Sequence, residues 1–64
     1  MSSDFSRSLT LLRKEKGISQ RAAAKELGIS QALLSHYENG IREPGLKFVT
    51  RACDYYGVSA DYLL

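Results

Sequence analysis

In QRAAAKELGISQALLSHYENG (residues 20–40), two short helical segments flank a glycine. Ser30 is suited to cap the second segment, because a serine hydroxyl accepts a free N–H of a helix's first turn. Gly28 permits the left-handed backbone turn that ends the first segment. The stretch therefore predicts a helix over about 20–27, a tight turn and a second helix over about 30–39.

Four residues in this stretch have the spacing of a helix-turn-helix. Ala24 is small enough for another helix to cross closely over it, and Gly28 follows four positions later. Leu34 and Tyr37, ten and thirteen positions after Ala24, supply an apolar face for the second helix. A small residue, a glycine turn and an apolar pair in this order are typical of a DNA-binding helix-turn-helix.

The outer face of the second helix carries side chains that suit the edges of DNA bases. On a wheel of about 100° per residue, Leu34 and Tyr37 define the inside. The outer side contains no acid, and its members are Gln31, Ala32, Ser35, His36 and Asn39. Glutamine bonds adenine, an alanine methyl contacts thymine, and serine and histidine donate or accept. A solvated polar face is the alternative, which the wheel alone does not exclude; the turn spacing favours base reading.

The length of 64 residues predicts one domain, residues 1–64, with a small core. The net charge is only +2, so a case for nucleic-acid binding depends on where the charges lie. The sequence has neither a long apolar run nor a signal-peptide pattern, and we expect a soluble cytoplasmic protein. The ending on Leu63 and Leu64 suggests a domain cut from a longer protein.

The composition offers few residues for a metal site or for nucleophilic catalysis. Cys53 is the only cysteine and His36 the only histidine, too few for a metal-ligand cluster. Ser35 lies beside His36, but adjacent residues of a helix point apart. We therefore expect no metal, no cofactor and no enzymatic activity, and we interpret Cys53 as a packed thiol.

The remainder of the chain predicts three further helices. The first runs from Ser3 or Asp4 to Lys16, a later one ends near Tyr56, and a last one follows Ser59. No segment alternates apolar and polar residues over enough positions to form a strand. Short helices with short connections predict an all-α fold, a compact five-helix bundle that contains the helix-turn-helix.

The sequence resembles the lambda repressor/Cro-type (XRE-like) helix-turn-helix family over essentially its whole length. The matching segments are LRKEKGISQ (12–20), AAAKELGIS (22–30), LSHYENG (34–40) and EPGLKFVTRACDYYGVSADYLL (43–64). The resemblance implies a bacterial or phage transcriptional regulator, a repressor that works at the nucleoid. Its partner would be double-stranded DNA, bound by a homodimer on a two-fold operator. The dimer surface would involve Tyr62, Leu63 and Leu64, or a C-terminal region absent from this sequence.

The same resemblance assigns roles to individual residues. The recognition helix, about 30–39, would enter the major groove and read bases with Gln31, Ala32, Ser35 and His36. Gln20, Asn39 and Arg42 would contact the DNA backbone. Arg13 and Glu38 would form a partly buried ion pair that orients the recognition helix.

Four positions depart from the family's pattern. Ile41 replaces a residue that is often basic, and Ala23 replaces a larger apolar one, which predicts a looser core or one filled by Tyr37. Leu11 and Leu33 occupy positions that are usually polar or small, so these two and Ile41 are expected to be exposed. They motivate an alternative function: a protein-interaction module, such as an antitoxin or antagonist, whose main ligand is another protein.

Overall fold

The computed structural model describes residues 2–59 and 61. In this part of the chain the fold is all-α and contains no strand. It has four helices: α1 (Ser2–Lys16), α2 (Gln20–Leu27), α3 (Gln31–Glu38) and α4 (Leu46–Tyr56). The helix predicted after Ser59 lies, except for Asp61, outside the described residues. The first helix begins at Ser2, slightly before the predicted Ser3 or Asp4.

Serine hydroxyls begin both helices of the helix-turn-helix. Ser19 Oγ accepts from the N–H of Ala22, and Ser30 Oγ accepts from the N–H of Leu33, each at 3.1 Å. These bonds satisfy N–H groups that a helix's first turn leaves free. Gly28 then ends α2 with φ 74°, the left-handed conformation that the sequence predicted for it.

The core lies where α3 packs on α1 and α2, and α4 packs on the same two helices. Leu9, Leu27 and Leu34 are its largest fully buried side chains. The alanines Ala23 and Ala24 are also buried, which agrees with a close approach of other elements to α2.

An aromatic pair extends this core toward α4. Tyr37 is buried, and its ring centre lies 4.7 Å from that of Phe48. Such a separation is typical of favourable aromatic pairs. Tyr37 therefore packs as a core residue against α4, and not only as the inner face of α3.

The apolar residues expected at the surface divide into two groups. Leu11 and Ile41 are 48% and 66% exposed. Leu33 was wrongly expected to be exposed: it is half-buried against the core, because it lies at the edge of the α3 face that contains Leu34. Leu46, which was not singled out from the sequence, is 77% exposed.

No helix in the described ranges, 2–59 and 61, is both long enough and apolar enough to span a membrane.

Candidate nucleic-acid interface

The two faces of α3 differ sharply in burial. Leu34 is 0% exposed, and Tyr37 and Glu38 are also buried. The opposite face presents Gln31, Ala32 and His36 to solvent, and Ser35 is half-buried beside them. The residues predicted to read bases are thus neighbours on one side of a short helix whose opposite side is packed into the core.

Asn39 and Ser35 are joined by a hydrogen bond at the C-terminal end of this face. The Asn39 side-chain N–H donates to Ser35 Oγ over 3.2 Å. The bond fixes the serine oxygen as an acceptor, so the Ser35 hydroxyl hydrogen is left to donate elsewhere. One predicted backbone-contact residue therefore orients one predicted base-reading residue.

Glu38 lies beneath α3 and engages two other elements. Its Oε2 accepts from Arg13 Nε at 2.8 Å, and its Oε1 accepts from Gln20 Nε2 at 3.1 Å. The side chains of Arg13 and Glu38 are 13% and 3% exposed, so the ion pair is mostly removed from water. Arg13 also donates through Nη1 to the carbonyl of Ile18, at 2.9 Å. One carboxylate thus connects α1 and the start of α2 to the end of α3.

The bond from Gln20 to Glu38 was not foreseen from the sequence. The resemblance assigns Gln20 to a DNA phosphate, but one N–H of its amide is already donated to Glu38. A second N–H and the carbonyl of that amide are left for other partners. Its position four and seven residues before Ala24 and Leu27, on the buried face of α2, was the available signal.

The loop after α3 folds back over the end of that helix. The backbone N–H groups of Ile41 and Arg42 lie 2.9 and 3.4 Å from the carbonyl of His36, toward which both donate. Arg42 is exposed. The loop therefore holds the backbone of Arg42 against the C-terminal end of α3.

Comparison with known proteins identifies the arrangement. A helix-turn-helix family model matches residues 9–63. The chain belongs to the lambda repressor/Cro-type (XRE) helix-turn-helix family. Members of this family are DNA-binding transcriptional regulators.

Curated relatives share this helix-turn-helix region. The chain is 40% identical over 60 residues to the uncharacterized HTH-type transcriptional regulator YqaE of Bacillus subtilis (strain 168), covering 94% of this chain and 52% of YqaE. It is 39% identical over 59 residues to YazB of the same strain, another uncharacterized HTH-type transcriptional regulator, covering 92% and 86%. The chain spans about half the length of YqaE and most of YazB.

Similarity in three dimensions extends the comparison. The crystal structure of the clp gene regulator ClgR from Corynebacterium glutamicum superposes with a TM-score of 0.89, at 24% sequence identity. The match covers 97% of this chain and 66% of that one. At this identity the likeness shows a shared helix-turn-helix fold.

In this helix-turn-helix domain Tyr56 lies close enough to the ion pair of Arg13 and Glu38 for both charges to affect its pKa. The Tyr56 hydroxyl is buried and has no hydrogen-bond partner among the described residues. Burial, and then the negative charge of Glu38, raise the pKa of Tyr56 to about 12. Tyr55, whose ring packs edge-on against Tyr56 at 4.9 Å, raises this pKa further, and Arg13 opposes the rise.

The raised pKa predicts a loss of stability in alkali. Tyr56 in the unfolded chain releases its proton near its ordinary pKa, about 10, while the folded domain retains the proton up to about 12. The titration of Tyr56 therefore leaves stability unchanged below pH 10 and lowers the free energy of unfolding progressively as the pH rises to 12. Chemical denaturation across this window should show a steeper decline for the natural domain than for Tyr56→Phe. Below pH 10, Tyr56→Phe should match or slightly exceed natural stability, because the lost hydroxyl has no partner. Parallel declines in both proteins would contradict the assignment.

Cys53 is buried in α4. Burial, and then the charge of Asp54, raise the pKa of its thiol. Both effects disfavour the reactive thiolate, in agreement with a packed residue. No group of three or more potential metal-ligating side chains occurs in the part of the chain that the structure describes.

Proposed function

We propose that this chain is a repressor that recognises a two-fold operator in double-stranded DNA by inserting α3 into the major groove. The observation that carries this proposal is the pairing of an exposed, acid-free face on α3 with a fully buried face beneath it. Gln31, Ala32, Ser35 and His36 are the base-reading residues in this proposal. Their chemistry fits amide, methyl and ring contacts to base edges.

Rigid support under α3 strengthens the case for base reading. A side chain selects one base over another only if its position is held within a fraction of an ångström. The Ser30 cap fixes one end of the helix, and the bonds of Glu38 to Arg13 and Gln20 fix the other. The reading face is thereby organised before DNA binds.

The proposed backbone contacts surround this face. Arg42 supplies a guanidinium for a phosphate, and Asn39 a side-chain amide. Gln20 contributes through the part of its amide that Glu38 does not occupy. Ile41 supplies no charge, so phosphate binding on this side depends on Arg42.

A homodimer is part of the proposal, because one domain with so few phosphate contacts binds weakly. Two copies that engage half-sites about 34 Å apart would double the contact area and impose two-fold symmetry on the operator. Tyr62, Leu63 and Leu64, which lie outside the described residues, or a segment beyond them, would supply the dimer contacts. A dimer bound across a promoter would exclude polymerase and so repress transcription.

Selection from random duplex DNA tests the proposal. We expect a two-fold motif to be enriched, with affinity that declines steeply as salt increases in fluorescence anisotropy. Weak binding without any enriched motif would reject the operator.

Separate substitutions distinguish base reading from phosphate contact. We expect Gln31→Ala and His36→Ala each to change the selected base at one position of each half-site, with a loss of about 1–3 kcal/mol for the original base. Arg42→Ala should weaken all sequences alike and reduce the salt slope by about 1. Arg7→Ala, which removes an exposed cation from α1, is the control and should leave the motif unchanged. An unaltered motif with His36→Ala would remove that residue from the groove.

A protein-interaction module is the second candidate, favoured by the exposure of Leu11 and Ile41. In that case the main ligand of this helix-turn-helix domain would be another protein, as for an antitoxin or antagonist. The DNA selection separates the two candidates: absence of a motif supports this one. Leu11→Ser and Ile41→Ser should leave operator binding intact if DNA is the ligand.

A further inference from the structure

The C-terminal end of α2 accepts a hydrogen bond from α4, a helix that lies far from it in the sequence but packs against it in the fold. Within the turn, the N–H groups of Gly28 and Ile29 donate to the carbonyls of Lys25 and Ala24, at 3.2 and 3.0 Å. The carbonyl of Leu27, the last residue of α2, lies beyond the helix's own bonds. It accepts instead from Arg51 Nη1 of α4, over 3.1 Å.

The guanidinium of Arg51 also occupies the space above Gly28. A Cβ built on Gly28 would lie 2.5 Å from Arg51 Nη1, closer than real contacts allow. Gly28 is required for its positive φ, and a Cβ at this position would also displace the flexible end of the Arg51 side chain. The sequence explains the glycine by its backbone conformation, whereas its contact with Arg51 is visible only in the structure.

The position of Arg51 suits a bridge between α4 and the turn. Its charge lies at the C-terminal end of α2, where the helix dipole favours a cation. Lys47 and Phe48, one turn earlier on α4, line the same cleft as Leu27, Gly28 and Ile29. The bond from Arg51 to Leu27 spans 24 positions in the sequence, so it connects the turn to a separate part of the fold.

We propose that Arg51 is a positioning residue that clamps the turn between α2 and α3 to α4, and thereby sets the angle at which α3 is presented. This contact stabilises the folded domain whether or not DNA is bound. Its consequence for recognition rests on the proposed function, because α3 must read DNA for its angle to matter. Arg51 itself makes no contact with bases in this proposal.

A double-mutant cycle tests the clamp without DNA. Arg51→Ala should lower Tm by about 4–8 °C, and Gly28→Ala by more, since it adds backbone strain to the displacement of the guanidinium. Once Gly28→Ala has displaced Arg51, adding Arg51→Ala should cost almost nothing further. Lys47→Ala is the control, and its effect should be small and additive with Gly28→Ala. Strict additivity of Arg51→Ala and Gly28→Ala would overturn the clamp.

Operator binding tests the positioning role. With the selected operator, and at a temperature where circular dichroism shows the variant folded, Arg51→Ala should weaken binding about 3- to 10-fold. The salt slope should not change, and Arg51→Lys should restore part of the affinity. A slope reduced by about 1 would make Arg51 a phosphate contact and overturn the proposal, as would unchanged affinity. If no operator is recovered, the proposed function and the positioning role fail together, whereas the cycle still decides the clamp.

Discussion

Glu38→Ala is expected to lower the free energy of unfolding by about 3–5 kcal/mol, because it leaves the mostly buried guanidinium of Arg13 without its charged partner. The two oxygens of Glu38 accept from Arg13 and Gln20, and its side chain is almost wholly removed from water. Removing the carboxylate therefore leaves Arg13 Nε and Gln20 Nε2 without their acceptor. Since small domains have a total stability of only several kcal/mol, the variant should be largely unfolded or close to it. Urea denaturation followed by circular dichroism measures the loss.

Two comparison variants make this result specific. Glu26→Ala removes an exposed carboxylate from α2 and should change stability by less than about 0.5 kcal/mol. Glu38→Gln retains the shape and an acceptor oxygen but loses the charge, so its cost should lie between those of the two alanine variants. If Glu38→Ala were no more harmful than Glu26→Ala, the bonds beneath α3 would contribute nothing to stability.

Leu34→Ala is expected to destabilise the domain by about 2–5 kcal/mol, through lost burial and the cavity left behind. Leu34 lies at the centre of the core and has no exposed surface. The same substitution removes the main apolar anchor of α3, so any operator binding that remains should be less selective. Thermal and urea unfolding measure the first effect, and the selected motif measures the second.

Neighbouring leucines provide the matched series for this test. Leu33→Ala, one residue earlier and half-buried, should cost about 1 kcal/mol, and the largely exposed Leu46→Ala should cost almost nothing. The order Leu34, Leu33, Leu46 follows directly from burial. An equal cost for Leu33 and Leu34 would mean that α3 packs in a different rotation from the one described.

Local features of the helix-turn-helix were predictable from the sequence because each depends on a few adjacent residues. Serine caps act over three positions, and the left-handed turn at Gly28 depends on one residue. The inward direction of Leu34 and Tyr37 follows from helical periodicity alone. The outward group on α3 follows from the same periodicity, and its role in DNA reading remains a prediction.

Features that depend on how the helices cross were missed or wrongly expected. Leu33 was expected to be exposed, because the family's pattern does not show how closely the core approaches the edge of α3. The resemblance assigns Gln20 to a DNA phosphate and does not predict that its amide also bonds Glu38, 18 positions away. The sequence does not predict a role for Arg51, because no nearby residue indicates a partner 24 positions earlier in the chain.

By itself, the sequence determined where α2 and α3 begin and end, which face of α3 is apolar, and which family the chain resembles. Capping, glycine conformation and the period of 3.6 residues are properties of short segments, and they operate before the chain is packed. Only the tertiary structure decided that Glu38 also bonds Gln20 of α2, and that Arg51 reaches the turn. Those two bonds join residues that are 18 and 24 positions apart, so they exist only once the helices have packed at particular angles.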